Sequence, residues 1–181
     1  MKKMRLGLLV ILSFISAIPY APVMAANRAG AASFILGAGN YYFSSKRHID
    51  NAGLIFVGAG YDFTDQWGIE AIASIFNTDS DNPQDNGKQV NGTLVAIDGV
   101  YHFSPYKAIQ PFITAGVGIL GLSPNGNDAR NEGNINAGLG AQYFVTDSIS
   151  FRVDARDFYT INGGKNDVML DAGMTFLFDL C

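Results

Sequence analysis

Ile149-Ser150-Phe151-Arg152-Val153-Asp154-Ala155-Arg156-Asp157-Phe158 is the stretch whose reading decides the fold of this chain. Phe151, Val153 and Ala155 alternate with Arg152, Asp154 and Arg156, so an extended strand has one apolar face and one face of alternating charge. A strand that puts its charges inward and its apolar side chains outward is suited to lipid outside and a closed polar lumen inside. The reading then requires seven more strands with the same two-residue period.

The neighbouring sequence supplies them. Thr146-Asp147-Ser148 is a tight turn, and before it Asn134–Val145 alternates Ile135, Ala137, Leu139, Ala141 and Tyr143 with Asn134, Asn136, Gly138, Gly140 and Gln142. After a polar loop, Thr160–Asp167, the last strand alternates Val168, Leu170, Ala172, Met174, Phe176 and Phe178 with Met169, Asp171, Gly173, Thr175 and Leu177. Further strands are expected at Ser33–Phe43, Gly53–Phe63, Trp67–Phe76, Gln89–Phe103 and Ile109–Leu122. Loops rich in Asp, Asn, Gly and Pro (Asn77–Lys88, Ser123–Gly133) alternate with short turns (Thr64–Gln66, Ser104–Ala108). Tyr41, Tyr42, Phe63, Trp67, Tyr101, Phe103, Tyr143 and Phe178 lie near strand ends, where interfacial girdles belong. The fold class expected is all-β, an eight-stranded antiparallel up-and-down transmembrane β-barrel. With an even strand number, both ends fall in the periplasm and the long loops outside.

Residues 1–25 read as a cleaved signal peptide: Lys2, Lys3 and Arg5, an apolar run from Leu6 to Ile18, and the small-residue site Val23-Met24-Ala25. The barrel domain is then 26–181. The single cysteine, Cys181, leaves no lipobox and no internal disulfide, though it could pair with another chain. Without the signal, nine Lys and Arg face sixteen Asp and Glu, a formal charge of −7, which argues against nucleic acid.

Here the chain resembles the OmpA-like outer-membrane barrels. The resemblance is carried by Gly60-Tyr61-Asp62-Phe63-Thr64-Asp65-Gln66-Trp67-Gly68-Ile69-Glu70, by Gln142-Tyr143-Phe144-Val145-Thr146-Asp147 leading into Phe151-Arg152-Val153-Asp154, and by the terminal Phe176-Leu177-Phe178. It implies a Gram-negative outer-membrane location, a lumenal glutamate at Glu70 and a lumenal arginine at Arg152. Two positions depart from the pattern: Asp98 stands where well-known members carry lysine, and Gln142 where they carry an acid. The periplasmic peptidoglycan-binding domain of many members is not expected in a chain that stops three residues past Phe178.

The candidate site is a lumenal charge network of Glu70, Asp98, Arg152, Asp154, Arg156 and Asp171, with a net charge of −2. Glu70 and Arg152 each stand four residues above a turn on opposite strands, which allows contact across the lumen. Asp171 is within reach of one arginine, and Asp98, lacking a lysine, is the expected misfit that would hold water or a proton. An open lumen would be a narrow gated path preferring cations; a filled one conducts nothing, the usual case for eight strands.

Other motifs weigh less. Gly116-Val117-Gly118-Ile119-Leu120-Gly121 matches G-x-G-x-x-G but lies inside a strand with no helix after it. Asp79, Asp81 and Asp85 could gather a divalent ion, though Pro83 spoils the calcium-loop pattern and a solvated acidic loop fits better. Ser44, Ser45 and His48 suggest an esterase only weakly, for no acid at a fixed spacing orients His48. His102 is a lumen or rim side chain, and the sequon Asn91-Gly92-Thr93 carries no weight in a bacterial membrane strand. No catalytic residue, cofactor or metal is expected.

The function expected is a non-enzymatic outer-membrane protein whose four surface loops serve envelope integrity or surface recognition, above a charge-plugged lumen. Its partners are outer-membrane lipid and lipopolysaccharide, with a surface ligand at the loops, and the barrel is monomeric. The alternatives are a narrow pore for ions or small solutes, and a soluble lipocalin-like periplasmic binder with the apolar faces inside.

Overall fold

The structure, a computed structural model, describes residues 27–79, 89–124 and 130–180. The signal segment, Asp81, Pro83, Asp85 and Cys181 lie outside the described residues. Eight strands run β1 Ala31–Tyr42, β2 Ala52–Asp62, β3 Trp67–Asp79, β4 Gln89–His102, β5 Ile109–Pro124, β6 Arg130–Thr146, β7 Ile149–Thr160 and β8 Lys165–Asp179. Each pairs antiparallel with its sequence neighbour, and β8 pairs back onto β1 from Ala31↔Asp179 to Tyr42↔Val168, which closes the barrel. One end carries the three short turns and the described N- and C-terminal residues. The other, the loop end, carries the remaining four connections.

Alternation decides which way each strand faces. In β3, Trp67, Ile69, Ala71, Ala73 and Ile75 are exposed while Gly68, Glu70, Ile72, Ser74 and Phe76 are buried. Ile55, Val57, Ile97, Ile113, Val117, Leu139, Phe151 and Val153 likewise face outward. Apolar side chains on the outer wall, with Glu70, Asp98, Arg152, Asp154, Arg156 and Asp171 all buried on the inner one, overturn the lipocalin-like alternative.

Several strands outrun their expected bounds at the loop end, because the two-residue period continues through polar residues. β6 begins at Arg130 and β8 at Lys165, so Glu132 and Asp167 belong to strands. The last connection is therefore not the loop Thr160–Asp167 but a tight turn over 161–164. Its residues Gly163 and Gly164 take φ +96° and +56°, which side chains disfavour. At the turn end, Thr64 Oγ1 accepts from the backbone N–H groups of Gln66 and Trp67, and this fixes the β2–β3 reversal.

Aromatic side chains ring the outside of the turn end: Trp67 packs on Tyr101 at 4.8 Å, Tyr101 on Phe103 at 4.9 Å, and Tyr61 on Phe63 at 5.3 Å. Tyr41 does not join a girdle. Its position in the alternation sends it inward, fully buried and stacked on Phe76 at 5.4 Å.

The loop-end half of the interior is apolar. Ile35, Leu54, Phe56, Ile72, Phe76, Leu94, Leu120, Phe158 and Met169 form one buried cluster with Tyr41. A lumen polar along its whole length was the expectation. Inward positions need only be filled, and here aliphatic and aromatic side chains fill half of them. Gly92 makes room for one: a Cβ there would stand 1.8 Å from the Phe76 ring. Gly92→Ala is accordingly expected to displace that ring from Tyr41 and cost about 1–3 kcal/mol through overpacking. A lower urea midpoint for the compact, fast-migrating gel form would register it; an unchanged midpoint would show that the interior has slack.

Candidate functional site in the closed interior

Three layers fill the barrel below and above the apolar cluster. At the turn end, Gln142 Nε2 donates to Asn27 Oδ1 at 3.1 Å and to Gln110 Oε1 at 3.3 Å, and Gln110 Nε2 donates to the Pro105 carbonyl at 2.5 Å. A carboxylate at position 142 could not donate either of the first two bonds. Arg28 pairs with Asp179 and also donates to the Asp147 carbonyl at 2.8 Å, so the N-terminal described residues are tied across the mouth. Outside the wall, the Tyr106 hydroxyl donates to Asp65 at 2.5 Å and the Ala29 N–H at 3.0 Å, and these two bonds hold the Asp65 carboxyl below its ordinary range. Just inside lies a cavity of about 30 Å³ lined by Asp62, Glu70, His102, Gln142, Arg152 and Thr175, with room for ordered water. His102 Nε2 stands 3.8 Å from Asp62 Oδ1 within it.

The second layer is the charge network. Arg152 Nη1 meets Glu70 Oε2 at 2.6 Å, and its Nη2 meets Asp154 Oδ2 at 2.6 Å. Arg156 Nη2 meets Glu70 Oε1 at 2.7 Å and Asp154 Oδ2 at 3.1 Å, and its Nη1 meets Asp98 Oδ2 at 2.5 Å. All of these groups are buried. Each guanidinium uses its planar fork to bridge carboxylates from facing walls, which a lysine ammonium could not do at once. The Arg152 guanidinium also lies 4.8 Å from the Phe112 ring centroid. Glycines on β6 clear the space: a Cβ at Gly138 would come 2.7 Å from Arg156 Cγ, and one at Gly140 2.4 Å from the Phe112 ring.

Two members of the network differ from expectation. Asp98 does not lack a cation, because Arg156 crosses the lumen and meets its Oδ2, while its Oδ1 is buried with no hydrogen-bond partner. Asp171 pairs with no arginine; it stands opposite Asp154 in the β7–β8 register, with both carboxylate oxygens buried and unpartnered. The reason is geometric. Both guanidinium forks turn toward β3 and β4, away from β8.

The third layer caps the loop end and escaped the sequence reading. The short helical turn Ser45–Arg47 folds inward, and Arg47 Nη1 meets Glu132 Oε2 at 2.5 Å while its Nη2 meets Asp167 Oδ2 at 2.8 Å and donates to Thr160 Oγ1 at 2.7 Å. Burial opposes the Arg47 charge, yet bonds to Asp167 and Glu132 hold its pKa above the ordinary value. Asp167 further accepts from the Ser44 N–H at 2.9 Å and the Tyr41 hydroxyl at 3.3 Å, and Lys165 Nζ reaches Glu132 at 2.8 Å. The acid that meets the Ser44 N–H is thus engaged by Arg47 and Tyr41. Carrying the two-residue period of β8 back from Asp171 and Met169 would have placed Asp167 on the inward face, though not against Arg47.

The remaining motifs resolve simply. Gly116 and Gly118 lie in β5 facing inward, where a Cβ would come 2.2 Å from Asp98 Oδ1 and 2.8 Å from Asn134 Oδ1 respectively. They make room for neighbours and open no phosphate loop. Among the described residues, no three His, Cys, Asp or Glu side chains converge as metal ligands.

Residues 7–178 match the family described as outer membrane protein beta-barrel domain. The chain belongs to this family. It is 31% identical over 138 residues to outer membrane protein PagN of Salmonella typhimurium, a match that covers 60% of this chain and 56% of PagN, so the chain spans little more than half of that relative. Neisserial surface protein A superposes with a TM-score of 0.66 at 15% identity, covering 83% of this chain and 98% of that one. The Yersinia pestis attachment invasion locus protein Ail, in complex with the heparin analogue sucrose octasulfate, superposes at 0.61 and 12% identity, covering 83% and 99%. The outer membrane barrel family thus supplies the lipid that the apolar outer wall requires, and the chain is an outer-membrane protein.

Proposed function

We propose that this outer-membrane barrel is a non-enzymatic, non-conducting anchor that presents its loop end at the cell surface for recognition or envelope integrity, with its termini in the periplasm. The observation that carries this reading is the filled interior. A water path would have to cross the arginine–carboxylate layer, then the apolar cluster around Phe56, Phe76, Leu94 and Phe158, then the Arg47 cap. The apolar layer is the decisive obstacle, since an ion there would lose its hydration without gaining a partner.

The loop residues favour a particular kind of surface partner. Between positions 77 and 88, Asp79, Asp81 and Asp85 stand against Lys88. Such a surface repels a polyanion like the one in the Ail complex and favours cationic or cation-bridged partners, including lipopolysaccharide held through divalent ions. Purified protein in planar bilayers with potassium chloride is expected to give no steady conductance, and Arg152→Ala none either, because the apolar layer remains. Stable unitary currents from the wild type would instead establish a pore.

A further inference from the structure

The dipeptide Asn-Gly occurs four times in the chain, at 86–87, 91–92, 125–126 and 162–163. Asparagine is the labile member of such a pair, because the next backbone nitrogen can attack its side-chain amide and close a five-membered ring, and a following glycine puts no Cβ in the way. The first and third pairs lie outside the described residues. The fold treats the other two differently. Gly92 stands in the middle of the sheet, between Phe76 of β3 and Leu122 of β5, with the Phe76 ring over it. Asn162 and Gly163 are exposed in the tight turn over 161–164, and among the described residues no group accepts a bond from the Gly163 N–H.

Two ammonium groups flank that turn. Lys165 lies against Gly163, where a Cβ would stand 3.5 Å from its Cε and 3.9 Å from its Nζ. Lys46 Nζ donates to the Gly164 carbonyl at 2.9 Å. Ring closure puts negative charge first on the Gly163 nitrogen, as it loses its proton, and then on Asn162 Oδ1. Cations fixed beside the turn stabilise that charge as it develops.

We propose that Asn162 is a site of spontaneous succinimide formation and conversion to isoaspartate, promoted by Lys165. The Gly163 nitrogen gives its proton to solvent and bonds to Asn162 Cγ; the Cγ–Nδ2 bond breaks, and Nδ2 takes up a proton and leaves as ammonia. Water then opens the ring at either carbonyl. Opening at Cγ leaves aspartate, and opening at the backbone carbonyl leaves isoaspartate, whose main chain runs through Cβ and Cγ and is one methylene longer. Water is the only co-reactant and nothing is oxidised or reduced. Either product sets a carboxylate beside Lys165, which also reaches Glu132, the partner of Arg47. The lengthened turn joins Thr160 to the strand of Asp167, and both of these residues hold Arg47. Conversion at Asn162 therefore acts on the loop-end cap.

The test incubates the folded barrel in mild detergent at mildly alkaline pH, with boiled protein alongside. Peptide mapping by mass spectrometry locates the conversion, and isoaspartyl methyltransferase with a labelled methyl donor scores isoaspartate. In the folded barrel Asn162 is expected to convert while Asn91 stays intact; after boiling both should convert. Asn162→Gln should remove the signal from the turn peptide, because a six-membered ring closes far more slowly. Lys165→Met should slow conversion about threefold, the size of one part-screened charge contact, and Lys165→Arg should restore the rate. Compact unboiled migration of each variant establishes that it has folded. A folded barrel in which Asn162 survives as long as Asn91 overturns the proposal. A Lys165→Met rate equal to or faster than wild type overturns the part given to Lys165.

Discussion

Arg156→Met is expected to produce the largest loss of stability of any single substitution in the barrel wall, about 3–5 kcal/mol, because removing one partner from a buried ion cluster leaves its counterions uncompensated. Arg156 alone meets Asp98, and it shares Glu70 and Asp154 with Arg152. In its absence one guanidinium faces Glu70, Asp98, Asp154 and Asp171 in a water-poor interior. Urea titration of the purified barrel, with the fraction in the compact gel form as readout, measures the loss. Arg156→Lys keeps the charge without the fork and should fall between the two. Adding Asp98→Asn to Arg156→Met should restore part of the loss by removing a stranded carboxylate. A midpoint for Arg156→Met equal to wild type would mean that the network contributes nothing to folding.

Arg47→Ala is expected to cost about 3 kcal/mol by the same physics at the other end, and its effect should be confined to one place. Asp167 is fully buried, and among the described residues Arg47 is its only cation. Without Arg47 the carboxylate keeps, among the described residues, the Ser44 N–H and the Tyr41 hydroxyl. The Ser45–Arg47 turn then loses its hold on β6, β7 and β8, so hydrogen–deuterium exchange should quicken over residues 43–51 while the central strands stay protected. Asp167→Asn combined with Arg47→Ala should recover stability and leave the exchange fast. Were exchange in that segment unchanged in Arg47→Ala, the cap would be held by other contacts, such as Lys46 Nζ to the Gly164 carbonyl.

The sequence by itself determined the barrel. Strand number, strand order and the division of each strand into an apolar and a polar face follow from a period of two, since a side chain's face in a strand depends only on its parity in the chain, while the closed barrel decided that the apolar face is the outer one. The presence of Glu70, Asp98, Arg152, Asp154, Arg156 and Asp171 on polar faces follows in the same way. Tertiary structure alone decided who meets whom. Asp98 gained a partner and Asp171 lost one because Arg156 and Arg152 cross the lumen in a direction set by the registers of six other strands, together with the space left by Gly138 and Gly140. The Arg47 cap joins residues 47, 132, 160 and 167, separations that no local pattern encodes, because they become neighbours only when β8 closes onto β1. The apolar half of the interior was written in Leu54, Phe56, Leu94 and Leu120, but an inward apolar residue is a plug only after closure places the opposite wall within van der Waals reach.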